Sequence, residues 1–346
     1  MSAWWSRPFW RRPGCAEEAG RSPSKALILM YHRVAEGLSD PWSLCVSPGH
    51  FAEHMEVLRR EAIPCRLQDL AARLQKRRIP DRAVAVTFDD GYADNYETAK
   101  PLLERYAVPA TVFVSSGYIG QEREFWWDEL EGICLRPGRL PRRLELSIDG
   151  QRHQWDLGEA ASYDEDLAKR DRGWKEQDAP PTARQALYRS VWQLLQALSD
   201  QERRRRLDEL LAWAGCRPFC RPTHRTLTAD QVLALARGGL VEIGAHSVTH
   251  PMLSKCSVET QRAELTASKT RLETILGQRV ASLAYPFGDY TSESVALARE
   301  ASYACACSTV ARPVALGDDP FQLPRVMVED WSRETFAERM HAWLER

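Results

Sequence analysis

The chain has 346 residues, of which 44% are hydrophobic and 27% charged, with 47 Lys+Arg against 48 Asp+Glu and a formal net charge of −1. This is the composition of an ordinary globular protein, which excludes a wholly disordered, collagen-like or coiled-coil chain, and the neutral balance argues against bulk electrostatic binding of nucleic acid. No apolar run approaches the roughly 20 residues of a membrane span, and the length allows two domains or one barrel-sized domain with an insertion.

Residues 1–24 read as an N-terminal tail, interrupted by Pro13, Gly14, Gly20 and Pro23 and without periodicity. Trp4, Trp5, Arg7, Phe9, Trp10, Arg11 and Arg12 mix aromatics with cations, a pattern that suits a membrane interface, although a free or docked tail is the simpler reading. The tail lacks the apolar core of a secretory leader. The nine cysteines are irregularly spaced and read as reduced thiols. The expected location is the cytoplasm, with peripheral membrane contact as the sharper alternative.

From Lys25 onward short apolar runs alternate with helical patterns. The runs are Leu27–Met30, Ala83–Val86, Ala110–Val114, Leu240–Ile243, Val280–Ala284 and Tyr303–Cys307, each of a length that suits a buried parallel strand. Phe51, Met55 and Leu58 mark a helix between the first two. Val258, Leu265 and Leu272 form a later helical stripe that ends at Gly277. The alternation predicts an α/β fold, a distorted (β/α) barrel of about seven parallel strands occupying residues 25–346. Residues 126–222 break the rhythm and read as a mostly helical insertion. It opens at Trp126 and Trp127, then forms a hairpin turning at Asp149-Gly150 and a long helical run from Ala183 to Trp213. Arg203 to Arg206 read as a solvated helix face, with an anionic ligand as the less favoured alternative.

Four of the runs end in polar clusters. These are Tyr31-His32-Arg33, Thr87-Phe88-Asp89-Asp90-Gly91, His246-Ser247-Val248-Thr249-His250 and Tyr285-Pro286-Phe287-Gly288. In parallel sheets and barrels function collects at the C-terminal strand ends. Two histidines four apart plus one carboxylate make a three-ligand site suited to a divalent ion. Neighbouring strand residues point to opposite faces, so Asp89 and Asp90 need different partners or a turn that redirects one of them. A Cys216, Cys220, His224 spacing is one ligand short of a structural zinc site and reads as coincidence.

In combination and order, these motifs resemble the polysaccharide deacetylase family, carbohydrate esterase family 4, over Lys25–Gly120 and Thr223–Trp331. The resemblance implies metal ligation by Asp90, His246 and His250, with Asp89 as general base. The family's catalytic histidine comes from a Leu-x-x-His motif, which stands here at Leu29–His32, as in the circularly permuted members, so His32 is the candidate acid. Tyr285, Pro286 and Phe287 match the substrate and oxyanion motif, but Ala284 stands where the family often has the arginine that orients the aspartate. Arg325 is a candidate substitute, and Asp330-Trp331 resembles part of the fourth motif.

The implied function is de-N-acetylation of an N-acetylated sugar or glycan, lipid-linked or carried on a nucleotide, during surface-glycan or glycoconjugate assembly. Nucleic acid is not an expected partner. The expected cofactor is a divalent ion, zinc first, with Co, Mn, Ni and Fe also suited. Oligomeric state is not legible. Hydrolysis of another amide, a formamide or cyclic imide, and a non-catalytic glycan- or partner-binding module are the alternatives.

Overall fold

The computed structural model describes residues 25–36 and 39–345; the tail 1–24 and its aromatic–arginine pattern lie outside the described residues. The strands are β1 (Ala26–Tyr31), β2 (Ala83–Phe88), β3 (Ala110–Val114), β4 (Arg143–Ile148), β5 (Gln151–Asp156), β6 (Val241–Ala245), β7 (Ser282–Ala284), β8 (Cys305–Cys307) and β9 (Val326–Met327). The main sheet runs β8-β7-β6-β3-β2-β1-β9, seven parallel strands, with Ile63–Pro64 pairing briefly on β2. This is the half-barrel that the spacing of apolar runs predicts. Leu323 bridges Cys307 of β8, and Val326 sits opposite Leu29 of β1, so the segment that bears edge strand β9 also touches the opposite edge strand, β8.

Strand parity separates two cores. Leu27, Leu29 and Tyr31 of β1, with Val84, Val86 and Phe88 of β2, face the outer helices. Ala26, Ile28, Ala83 and Ala85 face inward, where Phe113, Cys305 and Cys307 join them. Small inner residues suit the crowded interior of a curved sheet. The same parity carries Thr87 and Asp89 inward.

The helices that matter here are α1 (Pro48–Glu61), α2 (Leu67–Gln75), α3 (Trp126–Cys134), α4 (Ala183–Gln196), α5 (Asp200–Ala214), α6 (Val258–Leu276) and α7 (Arg333–Glu345). In α6 Leu265 and Leu272 are buried, and Gly277 closes the helix in the left-handed conformation; Val258, at the first turn, is exposed. No helix among the described residues is long and apolar enough to cross a membrane.

Residues from α3 to α5 pack a core of their own, in which Trp126, Leu130, Leu144, Leu146, Tyr188 and Trp192 meet. β4 and β5 form the expected antiparallel hairpin, turning through Asp149 (φ 50°) and Gly150 (φ 75°), a type I′ geometry. The expected single run from Ala183 to Trp213 is instead two helices. Ser199 accepts from the Glu202 amide and starts α5 afresh. Arg203 then turns inward, fully buried, and donates to the carbonyls of Leu195 (3.1 Å), which also accepts from the Leu198 amide, and of Leu198 (2.8 Å) just beyond the end of α4. The arginine run is therefore not a freely solvated face: Arg204 pairs with Asp200, and Arg205 and Arg206 pair with Glu202 and Glu209.

Candidate functional site

Asp89 follows β2 and continues its inward parity. Asp90 would point outward, but its backbone enters the left-handed region (φ 74°), with Gly91 following at φ 89°, and the turn brings both carboxylates to one side. A non-glycine residue held there stores strain that the surroundings must offset. The Ser115 amide donates to the Asp90 carbonyl and the His246 amide to Val114, which ties the ends of β2, β3 and β6 together.

His246 and His250 sit in the loop after β6. Ser247 (φ 60°) and His250 (φ 55°) are both left-handed, and the Ser247 hydroxyl accepts from the His250 amide at 3.0 Å. Glu264 of α6, which sequence reasoning missed, accepts from the amides of Val248 (2.7 Å) and Thr249 (2.9 Å) and from the Thr249 hydroxyl (2.7 Å). An acidic residue beside an apolar helical stripe carries no sequence mark of that task.

Both histidine Nε2 atoms face Asp90 Oδ1, at 3.5 Å for His246 and 3.4 Å for His250. The three ligand atoms lie within 4.8 Å of one another, and this is the only such cluster among the described residues. Cys216, Cys220 and His224 form none; Cys216 is exposed. His246 Nδ1–H donates to the Ala284 carbonyl at 2.8 Å, which fixes the tautomer that leaves Nε2 free as a ligand. Burial lowers both histidines, and a neutral imidazole is the form that binds metal. Asp90 is raised by burial and by its neighbours Asp89 and Asp128, so an ionised Asp90 calls for a cation. A buried N₂O set of this kind fits zinc and other first-row divalent ions.

Asp89 is held differently. Arg325, fully buried, forms two parallel bonds to its carboxylate, Nη1–Oδ1 at 2.6 Å and Nη2–Oδ2 at 2.7 Å. Burial would push Asp89 up; the Arg325 guanidinium, with His246 and His32, overrides it and holds the group below the usual carboxylate range. Arg325 thus stands against Asp89 from just before β9, with Ala284 in the third motif.

His32 lines the same cavity at the end of β1. Burial lowers it to about 4 against the upward pull of Asp89. Phe287 also lines it, its backbone left-handed (φ 57°) and its ring 4.4 Å from that of His250. Tyr285 and Pro286 do not line it. Tyr285 continues the buried β7, its hydroxyl donating to the Phe321 carbonyl at 3.0 Å. Asp330 and Trp331 are also elsewhere. Asp330 accepts from Ser47 and His50 at the start of α1, and Trp331 packs near Trp343 and under Arg339, because the chain turns away from the barrel rim after β9.

The cavity is about 350 Å³, within the range of small-molecule sites. Trp127, read from sequence as core packing in preference to stacking on a sugar, lies on it 4.9 Å from the His250 ring, its indole N–H donating to the Tyr92 hydroxyl at 2.8 Å. Trp42, Trp192 and Gln196 complete a wall that sequence reasoning did not identify.

The polysaccharide deacetylase family profile matches residues 76–140 and 215–306. Those stretches hold Asp89, Asp90, His246, His250 and Phe287, and leave out the hairpin, α4 and α5. YxkH of Bacillus subtilis is 32% identical over 114 residues, covering 32% of this chain and 39% of that protein. The poly-β-1,6-N-acetyl-D-glucosamine N-deacetylase of Staphylococcus aureus is 30% identical over 112 residues, covering 29% and 39%. The match therefore spans about two fifths of either relative's length. Among solved structures, the Streptococcus pyogenes deacetylase PplD superposes with a TM-score of 0.56 at 18% identity, over 92% of this chain and 99% of that one. IcaB from Ammonifex degensii gives 0.57 at 17% identity over 93% and 98%. At such identities these two establish the barrel fold alone.

Proposed function

We propose that the chain, whose residues 76–140 and 215–306 match the polysaccharide deacetylase family profile, is a metal-dependent de-N-acetylase acting on an N-acetylated sugar. The observation that carries the reading is the convergence, in one cavity, of the Asp90–His246–His250 cluster with an Arg325-bound Asp89 and with His32. The deacetylase names of the sequence relatives support it.

Asp90, His246 and His250 are the residues that would hold a divalent ion, zinc first. Such an ion supplies Lewis acidity to an acyl oxygen and acidity to a water. Asp89, kept ionised by Arg325, accepts the proton of the attacking water. Its two oxygens are already oriented by the bidentate pair, so little reorganisation is needed. His32 delivers a proton to the departing amine, a poor leaving group without one. Held below its ordinary value, it gives that proton up readily once charged. Trp127 and Phe287 pack around His250 and keep water from its far side.

We read His32 on β1 as the arrangement of the circularly permuted members. Residues 126–222 are taken as an insertion in the barrel domain. A role in assembling a surface glycan, cytoplasmic placement and membrane contact through residues 1–24 belong to the same proposal.

The test is acetate release by metal-reconstituted protein, with Asp89→Asn as the paired control, on N-acetylhexosamine oligomers, nucleotide sugars and lipid-linked sugars. Acetate that depends on Asp89 supports the reading and names the carrier. Silence across the panel with metal bound overturns it in favour of another amide.

A further inference from the structure

Resting on that reading, we propose that the cavity receives a hydrocarbon group attached close to the scissile amide. It sits on the acyl side or as the sugar's aglycone, so the preferred substrate carries an apolar chain or ring.

The cavity of about 350 Å³ is far larger than an acetyl methyl requires. Outside the reacting groups, the polar side chains on its lining are those of Gln196 and Thr309. The rest of the wall is Met30, Trp42, Leu44, Trp127, Trp192, Phe287 and Met327. A pyranose pressed against this wall would meet two polar partners outside the reacting groups, and each hydroxyl turned to the wall is costly to bury unpaired. A hydrocarbon meets no such penalty.

The wall is also preformed. The rings of Trp42 and Trp192 lie 4.1 Å apart, and the Trp42 indole N–H donates to the Tyr188 hydroxyl at 2.7 Å, which fixes the pair. The Trp192 indole N–H finds no acceptor among the described residues, a mark of apolar surroundings. Met30 and Met327 stand opposite each other across β1 and β9, and thioethers adapt to varied apolar shapes.

The lining divides between matched and unmatched stretches of the chain. The stretches matching the deacetylase family supply the metal-type cluster, Asp89, Trp127 and Phe287. Met30, Trp42, Leu44, Trp192, Gln196 and Met327 all come from outside them. His32 and Arg325 also lie outside those stretches, so the matched part holds the metal-type cluster and Asp89 but not the whole of the site.

The experiment is titration calorimetry on the zinc-loaded Asp89→Asn protein, which reads binding without turnover. One series holds methyl, butyl, hexyl and octyl glycosides of N-acetylglucosamine. The other holds N-acetyl-, N-butyryl-, N-hexanoyl- and N-octanoylglucosamine. Affinity should tighten in one series by about fourfold per added methylene over the first few, and the responding series names the side. Adding Trp192→Ala should flatten that slope, and Trp192→Phe should restore most of it, which separates loss of the wall from loss of the fold. Affinity that is flat or falling with length in both series overturns the proposal, as does a slope that Trp192→Ala leaves intact. Length-dependent binding without release of the acyl group by the Asp89 protein, as acetate from the glycosides or as the matching longer carboxylate from the N-acyl series, leaves the pocket assignment standing and refutes the deacetylase reading instead.

Discussion

Replacing Arg325 with Met removes a guanidinium that is fully buried and fully used. Besides its two bonds to Asp89, it donates to the Thr87 hydroxyl at 3.2 Å and the Ser308 carbonyl at 2.9 Å. Met fills much of the space with no donor, which strands a carboxylate that is only 3% exposed. Breaking a buried pair by deleting one partner costs about 3–5 kcal/mol. With Arg325 gone, burial governs Asp89 and its pKa rises, so the proposed base is less ionised at neutral pH. Asp89→Leu combined with Arg325→Met takes both charges away and should recover at least ~2 kcal/mol of the summed single losses. Urea unfolding of the metal-free protein, followed by tryptophan emission for all four members of the cycle, reads these values directly. A loss below about 1 kcal/mol in Arg325→Met, or a double variant no more stable than the summed singles, would refute the reasoning.

Three further outcomes are expected. His54 is fully buried, donates from Nε2 to the Trp331 carbonyl at 2.8 Å and pairs through Nδ1 with the Tyr31 hydroxyl, and burial lowers it to about 4. The unfolded chain therefore takes the proton first, and stability is lost as pH falls from about 6.5 towards 4, by ~2.5 kcal/mol between pH 7.5 and 4.5. His54→Gln should lose less over that interval in parallel urea melts, and an unchanged loss would count against the assignment. Gly117→Ala would place a Cβ 2.5 Å from the Val248 carbonyl oxygen, at the loop that carries the histidines. It should destabilise by about 1–3 kcal/mol and weaken zinc retention under dialysis against a chelator; a variant indistinguishable from wild type would show that the loop yields freely. Glu264→Ala unpairs two buried-loop amides and a hydroxyl, and zinc affinity by competition titration should fall about 10-fold or more; unchanged affinity would confine Glu264 to stability.

The main-sheet strands other than β9 were legible because they are largely buried on both faces, which leaves apolar runs such as Ala26–Tyr31 and Ala83–Phe88. The carboxylate and histidine motifs were legible because each is local to one strand end. What escaped depends on where distant segments meet. Trp42 reaches Tyr188 across 146 residues, and a tryptophan on a cavity wall looks, in sequence, like one in a core. Which of four consecutive arginines turns inward is decided by the carbonyls at the end of α4, which α5 does not encode. Tyr285 stands in the right motif yet faces Phe321, because its placement follows the parity of a short strand. Asp330 and Trp331 followed a motif whose flanking chain here leaves the barrel rim.

The distance along the chain between Asp89 and Arg325 is 236 residues. At a synthesis rate of about 5–20 residues per second, the carboxylate waits on the order of 10–50 s for its partner to be made. The cluster ligands precede Arg325 in the chain, and the segment that bears Arg325 also bridges the two sheet edges through Leu323 and Val326. Order of assembly therefore acts as a timer on the chemistry. A nascent chain can gather Asp90, His246 and His250 before it can orient the proposed base, so the proposed hydrolysis waits for the last strand of the barrel.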